Sequence, residues 1–214
     1  MGLAGGAHAQ AIGSVIELDP DAFGTPPGAA RSELSLGAGV VSDELIETLA
    51  TAAARLQFLD DGDLRIGANS SVLLDSLVYD PDQGAGELVL ELAVGAARFV
   101  SGDMPDEGFE LRTPVALVGI RGTDFAVLVE PNGRTIVAVF DGVVVVTPRG
   151  GQPVLVQAGQ SIVVDPGLGP MPPGVMRPAE VDIEEVRIFE DPFEDDLDRP
   201  GWSSTFWDIS SDDN

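Results

Sequence analysis

The sequence contains no cysteine and no lysine, and its single histidine is His8, close to the N-terminus. Without thiols there is no disulfide, no thiol nucleophile, no cysteine-ligated zinc and no iron–sulfur cluster, and redox chemistry says nothing about the compartment. One histidine at the chain start also excludes a serine–histidine triad or a histidine metal site in the folded body. Eleven arginines oppose 36 acidic residues, giving a formal net charge of −25. Nucleic acid and anionic lipid surfaces both demand a basic footprint, so neither is an expected partner. No apolar run approaches the roughly 18 residues that a membrane-spanning helix needs. Gly119-Ile120-Arg121-Gly122 is no phosphate cradle, because neither a lysine nor a helix follows it.

What is present is turn-rich. The 214 residues include 26 glycines and 16 prolines, and suit one all-β domain rather than a multidomain machine. Residues 1–10 form a small-residue leader. Its Ala7-His8-Ala9 is a pattern that signal peptidase reads, so the leader is taken as the end of an export signal, with a flexible spacer as the alternative. Residues 11–166 are assigned to the β domain. Up to about Gly39 it reads as loop-rich, with one clear alternating strand at Ile12 to Leu18. Ser42-Asp43-Glu44 carries an N-cap and first-turn acids, which predicts a short helix running to Ala54. From Arg55 onward short apolar runs alternate with turn residues. Asp60-Asp61-Gly62-Asp63 predicts a hairpin with a positive φ at Gly62, Asn132-Gly133 a second hairpin, and Asp141-Gly142 a third turn. The run Val143 to Thr147 predicts a strand buried on both faces. Residues 167–178 are a Pro/Gly linker, and 179–214 an acidic tail that holds both tryptophans. The expected fold is a sandwich-like antiparallel domain with hairpins, followed by an irregular acidic tail. Density of charge favours a solvated tail, but Phe189, Phe193, Trp202, Phe206 and Trp207 make docking onto the domain or onto a partner the competing expectation.

The stretch 56–166 resembles the FecR domain, named for regulators that relay a surface signal across the bacterial periplasm. Three segments carry the likeness. They are Leu56 to Val72, with Asp61-Gly62 at the turn; Phe109 to Phe125, with Thr113-Pro114, Gly119 and Arg121-Gly122-Thr123 before Phe125; and Asp141-Gly142 to Val145 together with Val154 to Val164, which contains Gly159. The resemblance implies a periplasmic or secreted β module. It also allows early strands at Leu34 to Gly39 and Val40 to Ser42, against the helix. A full regulator adds a sigma-binding segment, a membrane span and a receptor-touching domain. Only the central module is legible here, so a direct anti-sigma role is not expected.

Residue chemistry gives these motif positions fold roles. Pro114 fixes φ at a strand start, Gly119 and Gly122 permit a bulge, and Arg121, placed between apolar strands, calls for a carboxylate such as Asp124. The dense acids at 60–63 lack the ordered spacing of a calcium loop, and a turn is the better reading. No catalytic residue, metal ligand or cofactor is assigned. The expected function is a non-enzymatic binding or signalling module of the cell envelope, contacting a protein partner through the tail. A self-associating structural or adhesive protein, calcium-assisted or not, is the alternative.

Overall fold

Apolar residues that recur every second position bury one face of a strand, and this pattern runs through the whole folded part of the chain. The computed structural model describes residues 10–80, 85–105, 108–167, 169–170 and 173–175. Along them run β1 (Ala11–Leu18), β2 (Ala22–Thr25), β3 (Ser32–Glu33), β4 (Gly39–Val41), β5 (Glu44–Thr48), β6 (Ala54–Phe58), β7 (Asp63–Ile66) and β8 (Ser71–Asp80). Next come β9 (Ala85–Val100), β10 (Phe109–Arg112), β11 (Ala116–Val129), β12 (Thr135–Pro148), β13 (Val154–Gln157), β14 (Gln160–Asp165), β15 (Gly169–Pro170) and β16 (Gly174–Val175). The fold is all-β, and its pairings are antiparallel except that β10 runs parallel to β9.

Strand pairing resolves the sheet into two layers. Sheet I has the order β4-β1-β6-β7-β9-β11-β12-β14, with β15 and β16 on the far edge of β14. Sheet II has the order β3-β2-β5-β8-β9-β10-β11-β12-β13. The long strands β9, β11 and β12 belong to both. Residues 95–100 of β9, 124–129 of β11 and 135–141 of β12 pair in sheet I, and their other halves pair in sheet II. One hydrophobic core lies between the layers, lined by Leu56, Leu64, Val127 and Val137 from sheet I and by Ile46, Leu90, Val118 and Val144 from sheet II. Phe58, Phe99, Phe109 and Phe125 pack inside it, with the Phe99 and Phe109 rings stacked at 4.4 Å and Phe109 meeting Phe125 edge-on at 5.9 Å.

Each shared strand turns from one layer to the other at a glycine. Gly95, Gly122 and Gly142 have φ of 96°, 53° and 75°, the left-handed region that side chains rarely adopt. A methyl group at Gly95 would run into Ser70, and one at Gly142 into the carbonyl oxygen of Gly122. The β11–β12 register shifts twice between Arg121 and Phe125, so the bend is a pair of facing bulges.

Several sequence expectations change. No helix forms at 42–54: Ser42 and Asp43 make a tight turn, Asp43 at φ 61°, and Glu44 to Thr48 alternate buried and half-buried as β5. Periodicity of two outweighs the cap-like residues because burial between β2 and β8 contributes more than a cap. The loop-rich reading of 11–39 missed β2 and β3, and of the early strands the resemblance allows, β4 forms while Leu34 to Ala38 does not. Asp141-Gly142 is no hairpin turn but the bend inside β12. Val143 to Thr147 is buried on one face only; the doubly buried run is Thr135 to Val139, in the middle of sheet I. At the β6–β7 hairpin the positive φ falls on Asp61 (62°) rather than Gly62. Gly62 is small for another reason, since its backbone lies under Phe99 and donates to Asp60 Oδ1 at 3.2 Å.

Two expected outcomes follow from this packing. Gly95→Ala and Gly142→Ala each combine a left-handed backbone with a collision, and each is expected to cost about 3 kcal/mol or more in chemical denaturation, against less than about 1 kcal/mol for Gly119→Ala, whose added carbon meets nothing closer than 3.9 Å. Asp60 is 2% exposed, and its pKa is raised chiefly by burial, with the Asp61 and Asp103 charges adding to it. Its contribution to stability is therefore fully present below the ordinary aspartate range and is lost as pH rises through the folded value. Asp60→Asn keeps the acceptor for Gly62 and should raise the melting temperature at neutral pH. That gain should vanish in melts run below the ordinary aspartate range.

Candidate functional site

The bend leaves a cleft beside the outer face of sheet I. It has a volume of about 420 Å³ and is lined by Arg55, Asp63, Arg65, Arg98, Val100, Ser101, Gly122, Thr123, Asp124 and Asp141. Register explains this set. Arg55 of β6 stands opposite Arg65 of β7, which stands opposite Arg98 of β9, so three arginines form one row across three adjacent strands. The next row along the same face reads Asp63, Val100, Asp124 and Asp141. Each arginine alternates with core residues, Ala54 and Leu56, Leu64 and Ile66, Ala97 and Phe99, so burial of those neighbours directs the guanidinium outward.

Like charges side by side on a sheet repel, and the second row offsets this. Arg55 Nε donates to Asp63 Oδ2 at 2.6 Å and Arg65 Nε to Asp63 Oδ1 at 3.2 Å, so one carboxylate bridges two arginines. Glu17 lies 3.6 Å from Arg55 Nη1 at the edge of the row. Arg98 holds Asp124 in a two-point fork, Nε to Oδ1 at 2.8 Å and Nη2 to Oδ2 at 2.6 Å, and its guanidinium also sits 4.8 Å from the centre of the Phe140 ring. The small side chain of Ala126, between β9 and β12, leaves room for Arg98 to lean toward Phe140. At the floor, Thr123 N donates to Ser101 Oγ and Ser101 N donates to the Thr123 carbonyl, both at 3.0 Å. The Thr123 hydroxyl, on a residue 3% exposed, finds no hydrogen-bond partner among the described residues. Three arginines face three aspartates here, so the cleft is close to neutral inside a chain of net charge −25. Such a checkerboard of donors and acceptors suits recognition of a polar or charged chain segment.

The structure distributes the motif residues unevenly. Gly122 and Thr123 line the cleft and Gly142 makes its bend. Phe125 lies beneath in the aromatic cluster, and Asp61 and Gly62 close the β6–β7 hairpin. Thr113 and Pro114 lie in the β10–β11 turn rather than at a strand start: the Thr113 hydroxyl accepts from Ala116 N at 3.0 Å, and Thr135 Oγ1 donates to it across the sheet at 3.2 Å. Gly159 turns β13 into β14 with φ 77°. Gly119 sits in regular pairing between Glu110 and Val145, so the bulge belongs to Gly122 alone of the two. Arg121 is exposed and Asp124 is taken by Arg98, which corrects the expected Arg121–Asp124 pair: the bulge turns Arg121 away from the row. Phe189, Phe193, Trp202, Phe206 and Trp207 lie outside the described residues, as does the leader up to residue 9. The arginine row itself was missed. Counting outward from the Asp60-Asp61-Gly62 turn pairs Arg55 with Arg65 and would have found two of its members.

Because Arg98 and Asp124 are both mostly buried and doubly bonded, a double-mutant cycle with Arg98→Ala and Asp124→Ala is expected to give a coupling of about 1–3 kcal/mol in urea melts. The same cycle on Arg31 and Glu47, a more exposed pair, should give less than about 1 kcal/mol.

Comparison with known proteins fits this architecture. Residues 44–145 match the family model described as FecR protein, a span that runs from β5 through all three glycine bends. Two crystal structures of a candidate anti-sigma factor from Parabacteroides distasonis resemble the chain with a TM-score of 0.51 at 21% identity, over 61% of this chain and 59% of that one. The chain thus spans about three fifths of that protein's length, and the likeness is one of fold. No curated protein matches the chain. The part of the chain that matches the FecR family, residues 44–145, is the part that bends at Gly95, Gly122 and Gly142 and carries the Arg-Gly-Thr bulge at the floor of the cleft.

Proposed function

We propose that this chain is a non-enzymatic binding and signalling module of the bacterial cell envelope, working in the periplasm or outside the cell by contact with a protein partner. The observation that carries this reading is the FecR match across the bent strands, a family of regulatory proteins, joined to a cleft whose carboxylates are held by arginine. Asp63 and Asp124 serve there as acceptors that position guanidinium groups. The aromatic residues of the acidic tail, Phe189, Phe193, Trp202, Phe206 and Trp207, supply the large apolar anchors that protein interfaces favour.

A second reading has its own observation. On the outer face of sheet II, Leu117 and Leu155 are 41% and 60% exposed, on either side of Val145 and Thr147. Leu155 lies on β13, whose pairing in the described residues is with β12 alone. A short, apolar edge strand of this kind is a site for self-association.

Co-purification from crosslinked envelope fractions, with the tag on the N-terminal side, tests both. The full chain should recover a membrane regulator or receptor. Replacing the five tail aromatics with serine should reduce that recovery by on the order of tenfold. Recovery of the chain's own copies alone, unchanged by the serine substitutions and abolished by Leu155→Asp, would replace the signalling reading with the structural one.

A further inference from the structure

The outer face of sheet I continues past the arginine row. Reading across the strands, Arg55, Arg65 and Arg98 are followed by Ala126 of β11, Ala138 of β12 and Ser161 of β14, and Ser161 pairs with Gly174 of β16. One straight track therefore leads from the last described strand, through small side chains, to three guanidinium groups. A second row beside it holds Ala96, Leu128, Ile136 and Val163. Ala96, Ala126, Ile136, Ala138 and Val163 form an apolar cluster separate from the core, since their side chains point away from it. Yet they are only 1–4% exposed. An outer face of three alanines, Ile136 and Val163 would stand open to water if left uncovered, and the partly buried residues packed against this one are Leu128 and Phe140.

The chain that leaves β16 has the pattern to cover it. Residues 180–185 read Glu-Val-Asp-Ile-Glu-Glu, so in an extended conformation Val181, Ile183 and Glu185 share one face. Strands lie about 4.8 Å apart, so the four steps from β14 to β7 span roughly 19 Å, which about six extended residues cover at roughly 3.3 Å each. If residues 176–179 turn from the sheet edge onto its outer face, the next six residues reach from β14 to the arginine row. Val181 and Ile183 then fall on the alanine track and Glu185 on Arg98 and Arg65. A guanidinium offers five donors in a planar fork, so each can serve a second carboxylate beside the aspartate it already holds.

We propose that residues 180–185 dock in cis across the outer face of sheet I, Val181 and Ile183 on Ala138 and Ala126 and Glu185 at the Arg98–Arg65 row. Length, periodicity and charge all select this segment of the chain over a second copy, whose approach nothing directs along the track. Docking there sets the following aromatic residues, beginning with Phe189, beside the cleft. The inference stands without the envelope function, because it concerns the purified chain alone.

The natural absence of cysteine provides the test. Full-length chains carrying Ala126→Cys with Ile183→Cys, or Ala138→Cys with Val181→Cys, should form an intramolecular disulfide under mild oxidant. The yield should exceed that of Leu155→Cys with Ile183→Cys, on the other sheet's outer face, by on the order of tenfold. It should not depend on protein concentration. Glu185→Arg should lower the yield, and adding Arg65→Glu should restore it. Equal yields at the two faces, or disulfides that form between chains, would overturn the proposal. The second cysteine pair keeps the test decisive if a cysteine at Ala126 disturbs the sheet.

Discussion

Everything in this fold depends on three strands changing layers without breaking. A continuous β-strand twists but does not turn a corner, so one that serves two packed sheets must spend a residue on the turn. Here β9, β11 and β12 each do so at one glycine, and two of those glycines, Gly122 and Gly142, face one another across the same ladder. Their facing bulges match, so the sixfold pairing on one side of the bend and the pairing on the other both survive. The aromatic cluster of Phe99, Phe109 and Phe125 fills the inside of that corner. The cleft is its outside.

From the corner follows the electrostatic arrangement. A chain with 36 acids would ordinarily scatter its eleven arginines to relieve repulsion, and several do stand singly at the surface in pairs such as Arg134 with Glu130 and Asp165. Register instead gathers Arg55, Arg65 and Arg98 into one row, and the bend brings Asp63, Asp124 and Asp141 alongside it. Interspersed signs keep the row from repelling itself, and partial burial makes those contacts stronger than their surface equivalents. The result is a patch that is locally neutral and rich in donors, on a protein whose remaining surface repels anions. Selectivity for an acidic segment of the chain's own tail, held by short tether rather than by net attraction, is consistent with that balance.

Legibility in the sequence divided along physical lines. The all-β class and the Asn132-Gly133 hairpin were readable because alternation and turn chemistry are local. The short helix at 42–54 failed because capping residues are also turn residues, and only the packing of Glu44 to Thr48 between β2 and β8 decides which they are. Asp141-Gly142 misled for a related reason. A glycine with positive φ makes a hairpin turn or an in-strand bend equally well, and the choice rests on whether the next strand folds back or runs on to a new neighbour. The arginine row is a property of register between strands as far apart as β6 and β9, and only its β6–β7 half lies within reach of a single hairpin.

The two outer faces of the sandwich sort the functional readings. Sheet II presents large side chains to water, Leu117 and Leu155 beside a short edge strand, which is what contact with another chain requires. Sheet I carries on its outer face a track of small side chains, Ala126, Ala138 and Ser161, flanked by Leu128, Ile136 and Val163 and ending at the arginine row, which gives a thin, extended segment close backbone approach, apolar contacts and fixed charge partners. A fold that put one character on both faces would give the docking proposed for residues 180–185 no preferred side. Ser161 and Gly174 pair at the edge of sheet I, so the last described strand ends beside that face and not beside the outer face of sheet II.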